Sequence, residues 1–243
     1  MAIITAANSK GGSGKSTLII VLASALAESG ASVSVIDADP QLTIGKWAAA
    51  CDNLNFKVRH DVDENSIRKI IDQEEEEAQF VLVDIQGRES RLMSRVLMAC
   101  DLALVPLAPS EFDADPGADT VAVISECEQD ARRRIPYRIV FNRTNPAIMT
   151  TSEKEIMADI REGGLPLLKS QLHDRQAYRL MGRRKCSVFD LDPGKVSNLE
   201  KATANAMEIA TEVVEVLRQE REGGSISETS KMAEADVDQG VKA

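Results

Sequence analysis

The chain is poor in aromatic residues, with one Trp, two Tyr and five Phe in 243 positions. A core without large rings must rest on Ala, Val, Ile and Leu, and no aromatic interleaving marks a base-stacking surface. Histidine is scarcer still: only His60 and His173 occur, which excludes a histidine-rich metal centre. The four cysteines, Cys51, Cys100, Cys127 and Cys186, lie far apart and form no C-x-x-C pair. They suit reduced thiols in a cytoplasm better than a disulfide frame or a zinc site. No apolar run is long enough to cross a bilayer, and the longest, TLIIVLASALA, reads as a buried helix. The N-terminus lacks the basic stretch, apolar run and small-residue cleavage site of a secretory signal. Basic charge is in deficit, with 29 Lys and Arg against 39 Asp and Glu for a net charge of −10. That balance argues against nonspecific nucleic-acid binding by the whole surface and leaves a local basic patch open.

What is present is an alternation of apolar strands and amphipathic helices. Strands are expected at AIITAA (2–7), SVSVID (32–37), FKVRH, FVLVD (80–84), LALVPLAP (102–109) and YRIVFN (137–142), with a further short one at PLLKSQL. FVLVD is a continuous apolar run ending in an acid, the pattern of a parallel strand buried on both faces. Helices are expected from Lys15 to Glu28, at PQLTIGKWAAAC, ENSIRKIIDQEEEEA, 89–99, 117–131 and 152–162, and from near Ser197 onward. Ser152-x-x-Glu155 and Ser197-x-x-Glu200 read as capping boxes, and Gly163-Gly164 as a helix stop. The fold class implied is α/β: a doubly wound, mainly parallel sheet flanked by helices. One domain over 1–221 is expected, followed by a small, polar, acidic tail over 222–243 of disordered composition.

Ligands of such sheets sit at the carboxyl ends of the strands. Three suspicious segments fall there: a glycine loop, Asp37 with Asp39, and Asp84. The loop, NSKGGSGKST (8–17), departs from G-x-x-x-x-G-K-[ST] only in its first position, which is Ser9. Gly11 and Gly12 supply the missing flexibility, so backbone N–H groups from Gly11 through Thr17, Ser13 and Gly14 among them, can converge on phosphate oxygens. Lys15 should reach the β- and γ-phosphates, Ser16 should ligate Mg²⁺, and Thr17 should lie near the α-phosphate. Asp84 should hold a magnesium-ligand water. Of Asp37 and Asp39, one should orient the attacking water; Asp39 is the choice, because Pro40 turns the chain there, and it is also a candidate for water-mediated metal contact. Lys10 is a second lysine where one suffices. Placed before the turn, it would point away from its own nucleotide and could act on that of a facing subunit, as an arginine finger does.

These residues resemble a known family. KGGSGKST matches the deviant Walker A motif of the ParA/MinD ATPases, in which the early lysine is the signature lysine; DADPQLTIGKWA is similar to their D-x-D-P-Q loop, and FVLVDIQG occupies their Walker B position. VFNRT is similar to the segment whose asparagine meets adenine, so the resemblance gives Asn142 that role. LHDRQAYRLM followed by SVFDLD resembles the late segment of small ParA-like and conjugation-linked ATPases. The resemblance spans about 1–218. It implies ATP and Mg²⁺ as cofactors and a homodimer in the ATP state that binds DNA nonspecifically and releases it after hydrolysis. It also implies stimulation by a ParB-like centromere-binding protein and a cytoplasmic, nucleoid-associated location. Lys10 becomes the lysine acting in trans, and Lys15 and Asp39 the other catalytic residues. One departure points elsewhere: Asp84-Ile85-Gln86-Gly87 replaces D-x-P-P, as in a subgroup that includes the virulence-operon ATPase recruiting transfer DNA to a secretion channel. A relaxosome component is then the alternative partner. No helix-turn-helix domain precedes the first strand, so autorepression of an operon is not expected. The acidic tail lacks a basic amphipathic helix, so MinD-like membrane attachment is not expected either.

Two basic runs are candidates for DNA contact. One is Arg132, Arg133, Arg134 and Arg138; the other is Arg175, Arg179, Arg183, Arg184 and Lys185. Either could instead be a solvated face. A rival scaffold use, an iron–sulfur cluster at a dimer axis, would need Cys100 and Cys127, which have no supporting glycine context.

Overall fold

The computed structural model describes residues 1–87, 90–108 and 111–239; the side chains of 111–116 and 224–239 lie outside that description, as do the last four residues. Seven strands form one sheet in the order β3-β2-β4-β1-β5-β6-β7. They are β1 (Ala2–Ala6), β2 (Val33–Asp37), β3 (Lys57–Arg59), β4 (Phe80–Asp84), β5 (Leu102–Leu107), β6 (Tyr137–Thr144) and β7 (Leu172–His173). Every pairing is parallel, so all carboxyl ends open on one edge.

Helices cover both faces. They are α1 (Lys15–Glu28), α2 (Thr43–Ala48), α3 (Ile67–Glu77), α4 (Arg91–Ala99), α5 (Glu111–Ala131), α6 (Thr151–Glu162), α7 (Gln176–Arg184) and α8 (Leu199–Gln239). The period of two along each strand divides the core. Ile4, Val35 and Leu82 pack under α1, α7 and α8; Ile3, Ile36, Val81 and Val83 pack under α3, α4 and α5. α1 is buried almost all round, as its apolar run predicts. Trp47 stacks on Phe56 at 6.2 Å between centroids, and its Nε1 donates to the Met181 carbonyl at 3.1 Å. One of the few large rings thus ties α2 to α7.

The structure corrects several sequence expectations. The strand expected at PLLKSQL shrinks to Leu172–His173, with one isolated bridge at Leu167. The N–H groups of Lys169 and Ser170 go to the Glu212 carboxylate on α8, each at 2.7 Å, and are lost to the ladder. α6 opens earlier than expected, at a capping box of Thr150 and Glu153 with the same spacing as Ser152 and Glu155. α8 opens at Leu199; the Ser197 hydroxyl turns to Gln176 Oε1 at 3.4 Å instead of capping it. α5 begins at Glu111 rather than 117. Apart from these corrections, α8 is described as far as Gln239, residues 240–243 fall outside the described residues, and the domain over 1–221 with its tail over 222–243 stays an expectation of the sequence. Among the described residues no helix is long and apolar enough to cross a membrane.

Candidate nucleotide site

The loop between β1 and α1 is shaped by glycine and held by Asn8. Gly12 and Gly14 take φ of 78° and 90°, in the left-handed region that favours glycine. A Cβ on Gly14 would stand 2.1 Å from Asn142 Nδ2, so any other residue would strain the backbone and displace that amide. Gly14 is also the N-cap of α1, and no side chain caps that helix. Its first N–H groups therefore remain available to an anion, where the helix dipole favours one. Buried Asn8 donates from Nδ2 to the Pro106 carbonyl at 2.8 Å and accepts from the Lys10 N–H at 2.7 Å. Lys15 folds back into the loop, its Nζ donating to the carbonyls of Asn8 at 3.2 Å and Lys10 at 3.3 Å. Burial pushes its pKa down, and the Asp84 and Asp39 carboxylates pull it back up.

Two carboxylates that end neighbouring strands behave differently. Asp37 and Asp84 are register partners across β2 and β4, and both are fully buried. Asp37 accepts from the Gly45 N–H at 2.7 Å and the Asp39 N–H at 3.2 Å, tying the loop to the start of α2. It is consumed by the fold. Asp84 accepts the Ser16 hydroxyl on Oδ2 at 2.6 Å, while its Oδ1 is buried without a partner. Burial raises its pKa to about 7; the Ser16 hydrogen bond lowers it, and the charges of Asp37 and Asp39 raise it further. A carboxylate oxygen left unpaired beside a hydroxyl is an incomplete set of hard oxygen donors, which fits Mg²⁺. Asp39 is only half-buried and accepts from the Gln41 N–H at 2.8 Å.

Two clefts meet over this loop. The larger, about 530 Å³, is lined by Gly11, Gly12, Lys15, Ser16, Asp39 and Gln86 among others. The smaller, about 330 Å³, is lined by Asn142, His173, Arg175 and Tyr178 among others. Asn142 ends the apolar part of β6 and donates from Nδ2 to the Ser13 carbonyl at 2.8 Å, joining the phosphate loop to the second cleft. His173 is half-buried and pairs through Nδ1 with Thr144 Oγ1 at 2.7 Å.

The structure therefore brings together Gly11, Gly12, Gly14, Lys15, Ser16, Thr17 and Asp39 around one cleft, with Asp84 beneath and Asn142 beside it. Lys10 and Ser13 belong to the loop but do not line the cleft. Of the second basic run, Arg175 and Arg179 line the smaller cleft, with Arg179 paired to Asp174. Arg183, Arg184 and Lys185 are exposed at the end of α7. The first run is largely occupied: Arg134 and Arg138 pair with Glu220, and Arg133 donates to the Met98 and Cys100 carbonyls. Cys100 and Cys127 are buried in the core, which removes the cluster reading. Sequence reasoning missed Gly87, read there only as a departure from a motif. A Cβ on it would stand 2.8 Å from Lys15 Nζ and 3.0 Å from the Asn8 and Lys10 carbonyls. Its signal was a glycine three residues past a strand-ending acid.

A parallel sheet with a glycine phosphate loop between β1 and α1, its lysine, and a buried acid at the end of β4 define a P-loop nucleotide-binding protein of the deviant Walker A class. The comparison with known proteins narrows this: the family described as VirC1 protein matches residues 1–220, and the chain belongs to that branch of the VirC1/ParA/MinD ATPases. It is similar to Protein ParA of Rhizobium radiobacter, 35% identical over 222 residues, covering 90% of this chain and all of the relative. It is also similar to Protein virC1 of Rhizobium radiobacter, 27% identical over 190 residues, covering 76% of this chain and 81% of the relative. The fold matches that of a putative plasmid partition protein from Borrelia burgdorferi B31 solved with AMPPNP. The TM-score is 0.63 at 16% identity, over 86% of this chain and 97% of that one.

Proposed function

We propose that the chain binds ATP with Mg²⁺ across the two clefts, dimerises face to face over it, and uses slow hydrolysis to position or partition plasmid DNA. The observation that carries this reading is the constellation of half-buried Gly14 and Ser16 with buried Lys15 and Asp84, an uncapped helix N-terminus beside an incomplete oxygen-donor set. The similarity to Protein ParA along nearly the whole chain supports the partition role. Ser16 and, through water, Asp84 would hold Mg²⁺, which supplies charge neutralisation at the phosphates when bound. Lys15 lies on the cleft and takes the β- and γ-phosphates; Asp39, half-buried on the same cleft, orients water toward the γ-phosphate; Asn142 meets the base. Lys10 stands outside the lining of its own cleft, which supports a role on the nucleotide of a second copy. Nonspecific DNA binding, doubled by dimerisation, falls to the exposed Arg183, Arg184 and Lys185. Stimulation by a ParB-like protein belongs to the same reading.

Sedimentation of wild type and Lys10→Ala with ADP, ATP and DNA tests it. Wild type should dimerise only with Mg-ATP and then shift with DNA. Lys10→Ala should remain single while still binding ADP, and Arg183→Ala/Arg184→Ala should dimerise without shifting with DNA. A wild type that stays single when saturated with a non-hydrolysable triphosphate and magnesium ends the proposal.

A second reading is recruitment of a conjugative relaxosome to a coupling protein. The VirC1 family match over 1–220 and the Asp84-Ile85-Gln86-Gly87 sequence favour it. Neighbouring transfer genes would support this reading, and a neighbouring gene for a centromere-binding protein the first.

A further inference from the structure

Among the described residues only Gly14, Thr17 and Arg143 line both clefts. Gly14 and Thr17 belong to the phosphate loop itself. Arg143 arrives from β6, two strands away, and is the one charged residue at the seam.

Its backbone is unusual. Arg143 takes φ of 59°, a left-handed conformation that is strained for a non-glycine residue. It sits where the β6–β7 register shifts: Asn142 pairs with Leu172 and Thr144 with His173, so two steps on β6 match one on β7. Arg143 is the extra residue of that bulge, and bulges beside functional sites re-aim side chains. The result is that Asn142 and Thr144 on either side stay buried while Arg143 is exposed. Its own N–H donates to Asn142 Oδ1 at 2.8 Å, which fixes the amide whose Nδ2 holds Ser13. Glycine would suit this backbone better, so the conformation alone does not account for an arginine. Among the described residues no carboxylate pairs with its guanidinium.

A nucleotide spanning the two clefts has its ribose and inner phosphates at the seam. Resting on the nucleotide reading above, we propose that Arg143, which lines the same cleft as Lys15, is a binding residue for the inner phosphates. The guanidinium is always charged and presents its donors as a fork matched to phosphate. The two cations would then divide the chain of phosphates: Arg143 the inner part, Lys15 the outer. The left-handed turn at the bulge is what delivers the side chain there.

Calorimetric titration with Mg-ADP and Mg-ATPγS tests this on wild type, Arg143→Gly, Arg143→Ala and Arg143→Lys. Arg143→Gly keeps the backbone geometry and removes the guanidinium. It should weaken both nucleotides by a similar factor, about 10- to 100-fold, as loss of a charged hydrogen bond does. Its nucleotide-free melting temperature should equal or exceed that of wild type. Arg143→Ala should weaken both alike, and Arg143→Lys should fall between wild type and glycine. Wild-type affinity in the glycine variant overturns the proposal and leaves the nucleotide reading standing. A loss confined to Mg-ATPγS also overturns it, because Arg143 would then act on the terminal phosphate or across a dimer. A wild type that binds neither nucleotide overturns both readings.

Discussion

The two edges of the sheet spend their polar groups in opposite ways. At the amino edge, charges are paired: Arg138 and Arg134 flank Glu220, Arg133 caps the carbonyls at the end of α4, and Asp101 accepts the Ile3 N–H at 2.7 Å. At the carboxyl edge, polar groups are buried and left incomplete. Four described side-chain atoms are buried without a partner, and three of them, Ser13 Oγ, Asp84 Oδ1 and Arg175 Nε, belong to the loop and residues around the clefts. An unsatisfied buried group costs about 1–3 kcal/mol, so the carboxyl edge is destabilised in a way that a polar ligand would relieve. The amino edge builds stability and the carboxyl edge holds binding capacity.

The comparison can be broken most forcefully at Gly14. Gly14→Ala places a Cβ on Asn142 at a backbone angle alanine rarely adopts. Nucleotide affinity should fall by about 100-fold or more, equivalent to two charged hydrogen bonds, in a chain that still folds. Calorimetric titration checks the first point and circular dichroism the second.

Asp84→Asn sharpens it next. The Asp84 pKa of about 7 lies above its unfolded value of 3.8. Its contribution to stability is therefore full below pH ~4 and is lost as pH rises through ~7. Asp37, also raised by burial, slopes the same way. In magnesium-free buffer, wild type should melt lower at pH 8 than at pH 6, and Asp84→Asn should flatten that difference while abolishing ATP hydrolysis. An equal pH slope in both proteins would place the proton elsewhere.

The smallest effect is expected at the amino edge. Arg138 and Glu220 are about 15% exposed and form a close pair at 2.7 Å. Arg138→Ala should cost about 1–3 kcal/mol, between an exposed and a buried pair, with nucleotide affinity unchanged. A lower melting temperature with unaltered ADP binding is the expected pattern; altered binding would mean the two edges are coupled.

Legibility followed the range of the interaction. The glycine turn between β1 and α1 could be read because its glycines lie within ten residues, and the buried place of Asp84 at the end of β4 because a continuous apolar run ending in an acid announces it. Asn142 came only through family resemblance; its bond to Ser13 spans 129 residues. The choice of Asp39 over Asp37 rested on Pro40, whereas in the structure Asp37 is the acid occupied by the Gly45 N–H, a bond the local pattern does not show. The capping boxes failed for a related reason. Thr150 and Ser152 carry the same signal, and only packing decides which opens α6.

By itself the sequence determined the alternation of strands and helices, the parallel sheet and the glycine turn between β1 and α1, since strand period, apolar runs and glycine turns are properties of neighbouring residues. Only the tertiary structure decided which arginines are neutralised, how closely Gly87 packs against Lys15 and the loop carbonyls, and that Arg143 stands at the seam of two clefts. Those outcomes depend on groups brought together from tens of residues away, whose distances no local pattern encodes.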